Sequence, residues 1–263
     1  MPGRRGASVE DPERWVFNRL AEAYASRPGY PEALVRRLAA LAGPGGPVAD
    51  LGAGTGDLAV PLAALGLRVV AVEPARRMLD ALERRASAQG LALATVHAAA
   101  ESTGLPAASF SLAVIADALH WLDPERSGAE ISRILSPGGA VAVIDVELLP
   151  SPFLDALWPK LRAANPRARP RAMDLSGARR QLFALAAPGA APAVEGFDCD
   201  DALSPDAAAA VVRSLSFVGP ALPPGEVAAV TDWAAQCARA GGASWRRRLH
   251  LRWVRQKSKG AAR

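Results

Sequence analysis

Three glycines at alternate positions, Gly52, Gly54 and Gly56, follow Asp50 in the stretch "VADLGAGTGDLAV". Glycines in that pattern let the backbone turn tightly and approach a ligand closely, and a neighbouring carboxylate selects the ligand's charge. A dinucleotide loop needs G-x-G-x-x-G, with a pyrophosphate at the N-terminus of the following helix. In this chain the third glycine comes one residue early, and the position that pattern requires is Asp57. A carboxylate there would repel a pyrophosphate. A ligand with a ribose, no phosphate and a cationic amino-acid portion meets no such objection, and S-adenosylmethionine is of this kind. The competing reading is a tight turn of any α/β protein. Glu73 lies 21 positions beyond Gly52, at the end of the next apolar run. That matches the spacing of about 20 at which a carboxylate bonds ribose hydroxyls, against the alternative of a helix-capping glutamate.

Such a loop acts only where strands and helices present it, and the chain alternates them from about residue 45 to 147. "PVADLG", "LRVVAVE", "LALATVHA", "SFSLAVIAD" and "GAVAVIDVE" read as strands. "DLAVPLAALG", "PARRMLDALERRASAQG" and "PERSGAEISRIL" between them read as helices. Strands this apolar on both faces belong to a parallel sheet covered on both sides. The expected fold is α/β: a doubly wound, mostly parallel seven-stranded sheet with helices on both faces. Residues 1–44 are expected to form a helical lid and 45–149 the ligand-binding core. Residues 150–190, rich in Pro, Arg and Ala, break the alternation and read as an inserted cap. Residues 191–263 complete the sheet, with a strand near "AVEGFDCD", two helices from 206 to 240, and a final basic strand.

Composition narrows the function classes. The chain has 263 residues, half of them hydrophobic, yet no run approaches the roughly 18 apolar residues of a membrane span. Arg4 and Arg5 near the start have no apolar run behind them, so no signal peptide is expected. Cys199 and Cys237 stand in no metal-ligand spacing, which predicts a reduced cytoplasmic protein without disulfides or bound metal. The net charge of +5 is concentrated at one end, since residues 244–263 hold eight Lys and Arg and no acid. That run reads as a strand with one basic face and a frayed end, against the alternative of nucleic-acid contact.

The segments "VADLGAGTGDLA", "VVAVEPARRML", "AAAESTGLPAASFSLAVIADALHWLD" and "LSPGGAVAVID" occur in this order. On them, and on "FNRLAEAYASRPGYP" near the N-terminus, the chain resembles the class I, Rossmann-like S-adenosylmethionine-dependent methyltransferases, especially the small-molecule type with a His-Trp pair after the fourth strand. The resemblance covers about residues 17 to 147. It implies that Gly52, Ala53 and Gly54 pass along the methionine part of the cofactor, with Asp50 near its ammonium. It places Glu73 on the ribose diol, Pro74 and Met78 beside the adenine, and Ala100 and Glu101 at the adenine edge. The chain departs from the pattern at Ala99, where a polar residue is usual. Ala116 and Asp117 would end the fourth strand beside the methionine part and the transferring methyl. Tyr24 and Arg27 would close over the cofactor, Arg27 pairing its carboxylate.

Methyl transfer from a sulfonium is an in-line displacement with an excellent leaving group, so alignment and exclusion of water carry much of the catalysis. A base is needed only where the nucleophile must lose a proton. Asp117 and His120 are the candidates, weighed against a capping or cofactor-binding role for Asp117 and local packing for His120. Tyr24, Tyr30, Trp121, Phe153, Trp158 and Phe217 are candidate walls for a small organic acceptor, with Arg27 or Arg162 as a clamp for an acidic one. The product would be S-adenosylhomocysteine. Two other readings stand beside this one. A nucleic-acid methyltransferase recruited by the basic tail is disfavoured, because "ADALHW" stands where base-amine enzymes carry Asn-Pro-Pro-aromatic. A same-fold enzyme could instead use the cofactor for other chemistry, such as cyclisation releasing methylthioadenosine.

Overall fold

The computed structural model describes residues 15–166, 174–215, 218–219 and 221–257. In chain order these form α1 (Trp15–Tyr24), α2 (Glu32–Ala42), β1 (Pro47–Leu51), α3 (Ala59–Ala64), β2 (Arg68–Val72) and α4 (Arg76–Ala88). There follow β3 (Ala94–Val96), β4 (Phe110–Ala116), α5 (Pro124–Ile134), β5 (Leu135–Leu148), α6 (Pro152–Ala164) and α7 (Ser176–Ala186). The chain ends with β6 (Ala193–Ala202), α8 (Pro205–Arg213), α9 (Pro224–Arg239) and β7 (Ser244–Arg255). The strands make one seven-stranded sheet in the order β3-β2-β1-β4-β5-β7-β6. β1 to β5 run parallel, and β7 is antiparallel to both β5 and β6.

Alternation along the strands assigns the two faces. Val48, Leu112, Val114, Ala142 and Ile144 pack with Leu34, Leu38 and Leu41 of α2 and with α3 on one face. Ala49, Leu51, Ala113, Ile115 and Val143 pack with Ile131 of α5 and Leu182 and Phe183 of α7 on the other. The parallel strands β1, β4 and β5 are therefore apolar on both sides, as a doubly covered sheet requires. Helix starts carry local signals. Asp123 caps α5 by accepting from the N–H groups of Glu125 and Arg126 ahead of Pro124, and Ser151 and Ser204 do the same for α6 and α8.

The described helices of 150–190, α6 and α7, do not form the expected cap over the pocket. α6 buries Phe153, Leu154, Leu157 and Leu161 against α8, α9 and Trp245 of β7, and Phe153 stacks on Trp233. α7 covers the sheet face beside α5. Both helices are core-building layers, because their apolar stripes match the uncovered end of the sheet. Strand order reverses between β1 and β4, so β1, β2, β4 and β5 all direct their carboxyl ends toward one crevice, the general ligand position of such sheets.

Candidate functional site

β1 delivers the chain into the glycine loop at that crevice. Gly52 takes φ +76°, and a Cβ on it would stand 2.9 Å from the Cβ of Ala118, so both backbone conformation and space demand glycine. The N–H groups of Gly52 and Ala53 both donate to the carbonyl of Val72 at the end of β2, locking the loop to the sheet. Gly54 also has a positive φ, +55°, but a Cβ there would meet nothing within 4 Å. The loop is thus braced at Gly52 and open at Gly54.

Glu73 spans the gap from β2 to the loop. One carboxylate oxygen accepts from the N–H of Gly54 at 3.0 Å and the other from Ala75 at 2.9 Å. Asp50 lies beneath, 1% exposed, and its Oδ2 meets no hydrogen-bond donor. Burial, helped by the Glu73 charge, raises the Asp50 carboxyl to about 7. The hydroxyl of Thr55, also buried in the loop, has no hydrogen-bond partner either. A buried, unmatched carboxylate oxygen is costly unless a cation or donor reaches it.

Asp117 follows β4 with φ 50°, a strained backbone for a residue other than glycine. Its N–H donates to the carbonyl of Ile144, which fixes it at the switch point, and its side chain is open to the cavity. Surrounding protein pushes its carboxyl up to about 6; Arg27 and Arg247 pull it down and Asp145 pushes it up. Arg27 stacks on Tyr24, 3.9 Å from the ring centre, and donates to the Oγ and carbonyl of Ser214 after α8. Phe17 links Tyr24 to Trp121 through edge contacts with ring centres 5.9 and 5.0 Å apart.

These groups line one cavity of about 330 Å³, within the range of small-molecule sites. It brings together Tyr24, Arg27, Tyr30, Asp50, Gly52, Ala53, Gly54, Glu73, Pro74, Met78, Ala100, Glu101, Ala116, Asp117, His120 and Trp121, all singled out in the sequence. Glu101 is tied back by accepting the N–H of Asp123 at 2.9 Å. Phe153, Trp158 and Arg162 do not line it. Phe153 and Trp158 belong to the α6 core, and Arg162 is exposed on the same helix. Phe217 lies outside the described residues. Asp57 does line the cavity, but Arg85 of α4 pairs with it, so its charge is partly neutralised. Among the described residues no cluster of His, Cys, Asp or Glu could hold a metal ion.

Sequence reasoning missed Phe17, Thr55, Val146, Leu148, Leu215, Trp245 and Arg247, which also line the cavity. One signal was present. In β7, Arg247 shares the alternation of Leu249 and Leu251, the apolar face, while Arg246 and Arg248 lie on the exposed one. An arginine on a buried strand face needs partners, and Arg247 finds Asp201 at 2.7 Å and the carbonyls of Pro28 and Gly29.

Known proteins of similar sequence and structure share this fold. The sequence model of a family described as "Methyltransferase domain" matches residues 49–143. An uncharacterized methyltransferase of Mycobacterium tuberculosis is 42% identical over 130 residues, which is 49% of this chain and 51% of that protein. The chain thus spans about half the length of the curated relatives it matches first. A solved structure from Anaeromyxobacter dehalogenans, provisionally described as a type II methyltransferase, shares 26% identity and a TM-score of 0.60, covering 88% of this chain and 97% of its own. The [4+2]-cyclase SpnF shares the fold at 16% identity and TM-score 0.59, covering 97% and 98%. The fold is the Rossmann-like class I methyltransferase fold.

Proposed function

We propose that this protein is an S-adenosylmethionine-dependent methyltransferase acting on a small organic molecule. The observation that carries the reading is the loop from Asp50 to Gly54 with Glu73 locked across it, at one end of a cavity that continues past Asp117. The fold alone does not carry it, since one fold hosts many chemistries. Two features test the fit of the cofactor. The orphaned Oδ2 of Asp50 offers a buried negative site beside the loop, which suits an ammonium and opposes a pyrophosphate. Asp117 and Arg27 present opposite charges to the same cavity, and neither is in an ion pair within 4.0 Å among the described residues. A zwitterionic amino-acid end matches that arrangement.

In this reading Asp50, Asp117 and the Gly52–Gly54 backbone hold the ammonium, and Arg27 faces the carboxylate. Glu73 takes the ribose diol. Pro74, Met78, Ala100 and Glu101 border the adenine. When bound, the cofactor supplies a methyl on an excellent leaving group and leaves as S-adenosylhomocysteine. Phe17, Tyr24 and Trp121, joined edge to edge, exclude water from the reacting centre. Asp117, with its carboxyl near 6, can orient the acceptor or accept its proton, and His120 on the same rim is the second candidate.

The test is incubation with methyl-labelled S-adenosylmethionine and a metabolite extract, followed by mass spectrometry of both products. Label in a small molecule together with S-adenosylhomocysteine is the expected result. Methylthioadenosine in place of S-adenosylhomocysteine would assign the site to other sulfonium chemistry, and label in nucleic acid would move the acceptor to a different class.

A further inference from the structure

The far end of the cavity is built from separate elements. Val146 and Leu148 lie at the end of β5, and cross-strand pairing sets Leu148 opposite Arg247 and Val146 opposite Leu249 of β7. Leu215 follows α8, Trp245 begins β7, and Tyr30 stands ahead of α2. Tyr30 and Val146 pack on the main sheet core, while Leu148 packs with Leu215 and Trp245 on the α6–α8–α9 core. The wall is the seam where those two cores meet, and it is continuous with the loop end through Ala116 and Asp117.

The cation in this wall, Arg247, is paired with Asp201 and with backbone carbonyls. Arg247 Nη2 donates to Asp201 at 2.7 Å and to the Gly29 carbonyl at 2.9 Å, and Nη1 donates to the Pro28 carbonyl at 3.0 Å. Its Nε is buried and meets no acceptor. Burial pushes the Tyr30 phenol well above its ordinary value, with the Asp117 charge adding to the effect, so it remains neutral. Arg247 therefore clamps the Pro28–Gly29 turn over the seam with its charge spent on Asp201.

We infer that this seam is the acceptor subsite and that it takes an uncharged, apolar molecule, with Tyr30, Val146, Leu148, Leu215 and Trp245 as its walls. The inference rests on the proposed function, in which Asp117 and Arg27 serve the amino-acid end of the cofactor. Burying an unpaired charge against such walls is costly, whereas an apolar face gains from them.

The experiment uses the full chain saturated with S-adenosylhomocysteine and three probes of one shape: 2-naphthol, 2-naphthoate and 2-naphthylmethylammonium, titrated by calorimetry. The expected result is binding of 2-naphthol at least about tenfold tighter than either ion. Val146→Phe and Leu148→Phe, made singly, should each weaken 2-naphthol about tenfold while S-adenosylhomocysteine affinity changes less than about twofold. Retained nucleoside binding shows that each variant is folded. Tighter binding of 2-naphthoate would overturn the inference and hand Arg27 to the acceptor. Absence of 2-naphthol binding, or binding indifferent to both substitutions, would overturn it as well. Failure of S-adenosylhomocysteine itself to bind would instead remove the underlying reading.

Discussion

From Asp50 to Glu73 one short run of chain supplies the loop, the orphaned carboxylate and the brace of one end of the cavity. The other end draws on β5, β7, the residue after α8 and the turn before α2. The first is polar and fixed by backbone conformation, with positive φ at Gly52 and Gly54 and bonds from the loop to Val72 and Glu73. The second is apolar and fixed by packing between two cores. A ligand held at the first end is recognised by charge and hydrogen bonds, so single substitutions there should act strongly on binding. At the second end shape dominates, and it can diverge while the first stays intact.

The largest effect is expected at Gly52. Gly52→Val puts a branched side chain at positive φ and against Ala118, so the loop must move. S-adenosylhomocysteine affinity should fall roughly a hundredfold, about 3 kcal/mol, as isothermal titration would read. Retained affinity would mean that the loop does not shape the site.

Glu73→Ala comes next. It removes acceptors of the Gly54 and Ala75 N–H groups and the proposed ribose contacts. Charge-assisted bonds are worth about 1.5 to 3 kcal/mol each, so affinity should drop at least about tenfold with the far-UV circular dichroism spectrum unaltered. An unchanged dissociation constant would place the ribose elsewhere.

Asp50 separates the two ends by pH. Its carboxyl titrates near 7 in the fold and near 3.9 in an unfolded chain. The unfolded state therefore releases its proton first, and the ligand-free protein should lose stability as pH rises from about 4 to about 7. S-adenosylmethionine binding should show the opposite slope, strengthening up to about tenfold per unit as pH rises toward 7, because its ammonium needs the ionised carboxylate. Asp50→Asn should flatten both slopes. Melting temperatures and titrations across that window check this, and a slope that survives in the variant would point to another group.

The smallest effect on binding is expected from Phe153→Ala. Phe153 is 2% exposed and stacked on Trp233 in the α6 core, so truncation should cost about 3 to 5 kcal/mol of stability. The folded fraction should nevertheless bind S-adenosylhomocysteine as the parent does. A selective loss of affinity would bring α6 back to the site.

The same contrast explains what the sequence reveals. Asp50, the glycines and Glu73 are legible because their chemistry depends on local backbone geometry and on a spacing set by one βαβ unit. The sheet is legible for a similar reason: strands buried on both faces leave unbroken apolar runs such as "LAVIA". Val146, Leu148, Leu215 and Trp245 carry no such mark. Each is an ordinary apolar residue whose role arises from antiparallel β5–β7 pairing and from the docking of α8, contacts between positions far apart in the chain. Phe153 and Trp158 mislead because an aromatic in a segment outside the alternating core looks the same whether it faces a ligand or a neighbouring helix.

The central claim, that the glycine-loop end is built for a sulfonium nucleoside, is tested most directly by calorimetric titration of the purified protein at pH 8 with S-adenosylhomocysteine, S-adenosylmethionine, NAD and ATP. Saturable binding of the first two and none of the last two is the expected result. Tight binding of NAD or ATP with no response to either sulfur nucleoside would contradict it.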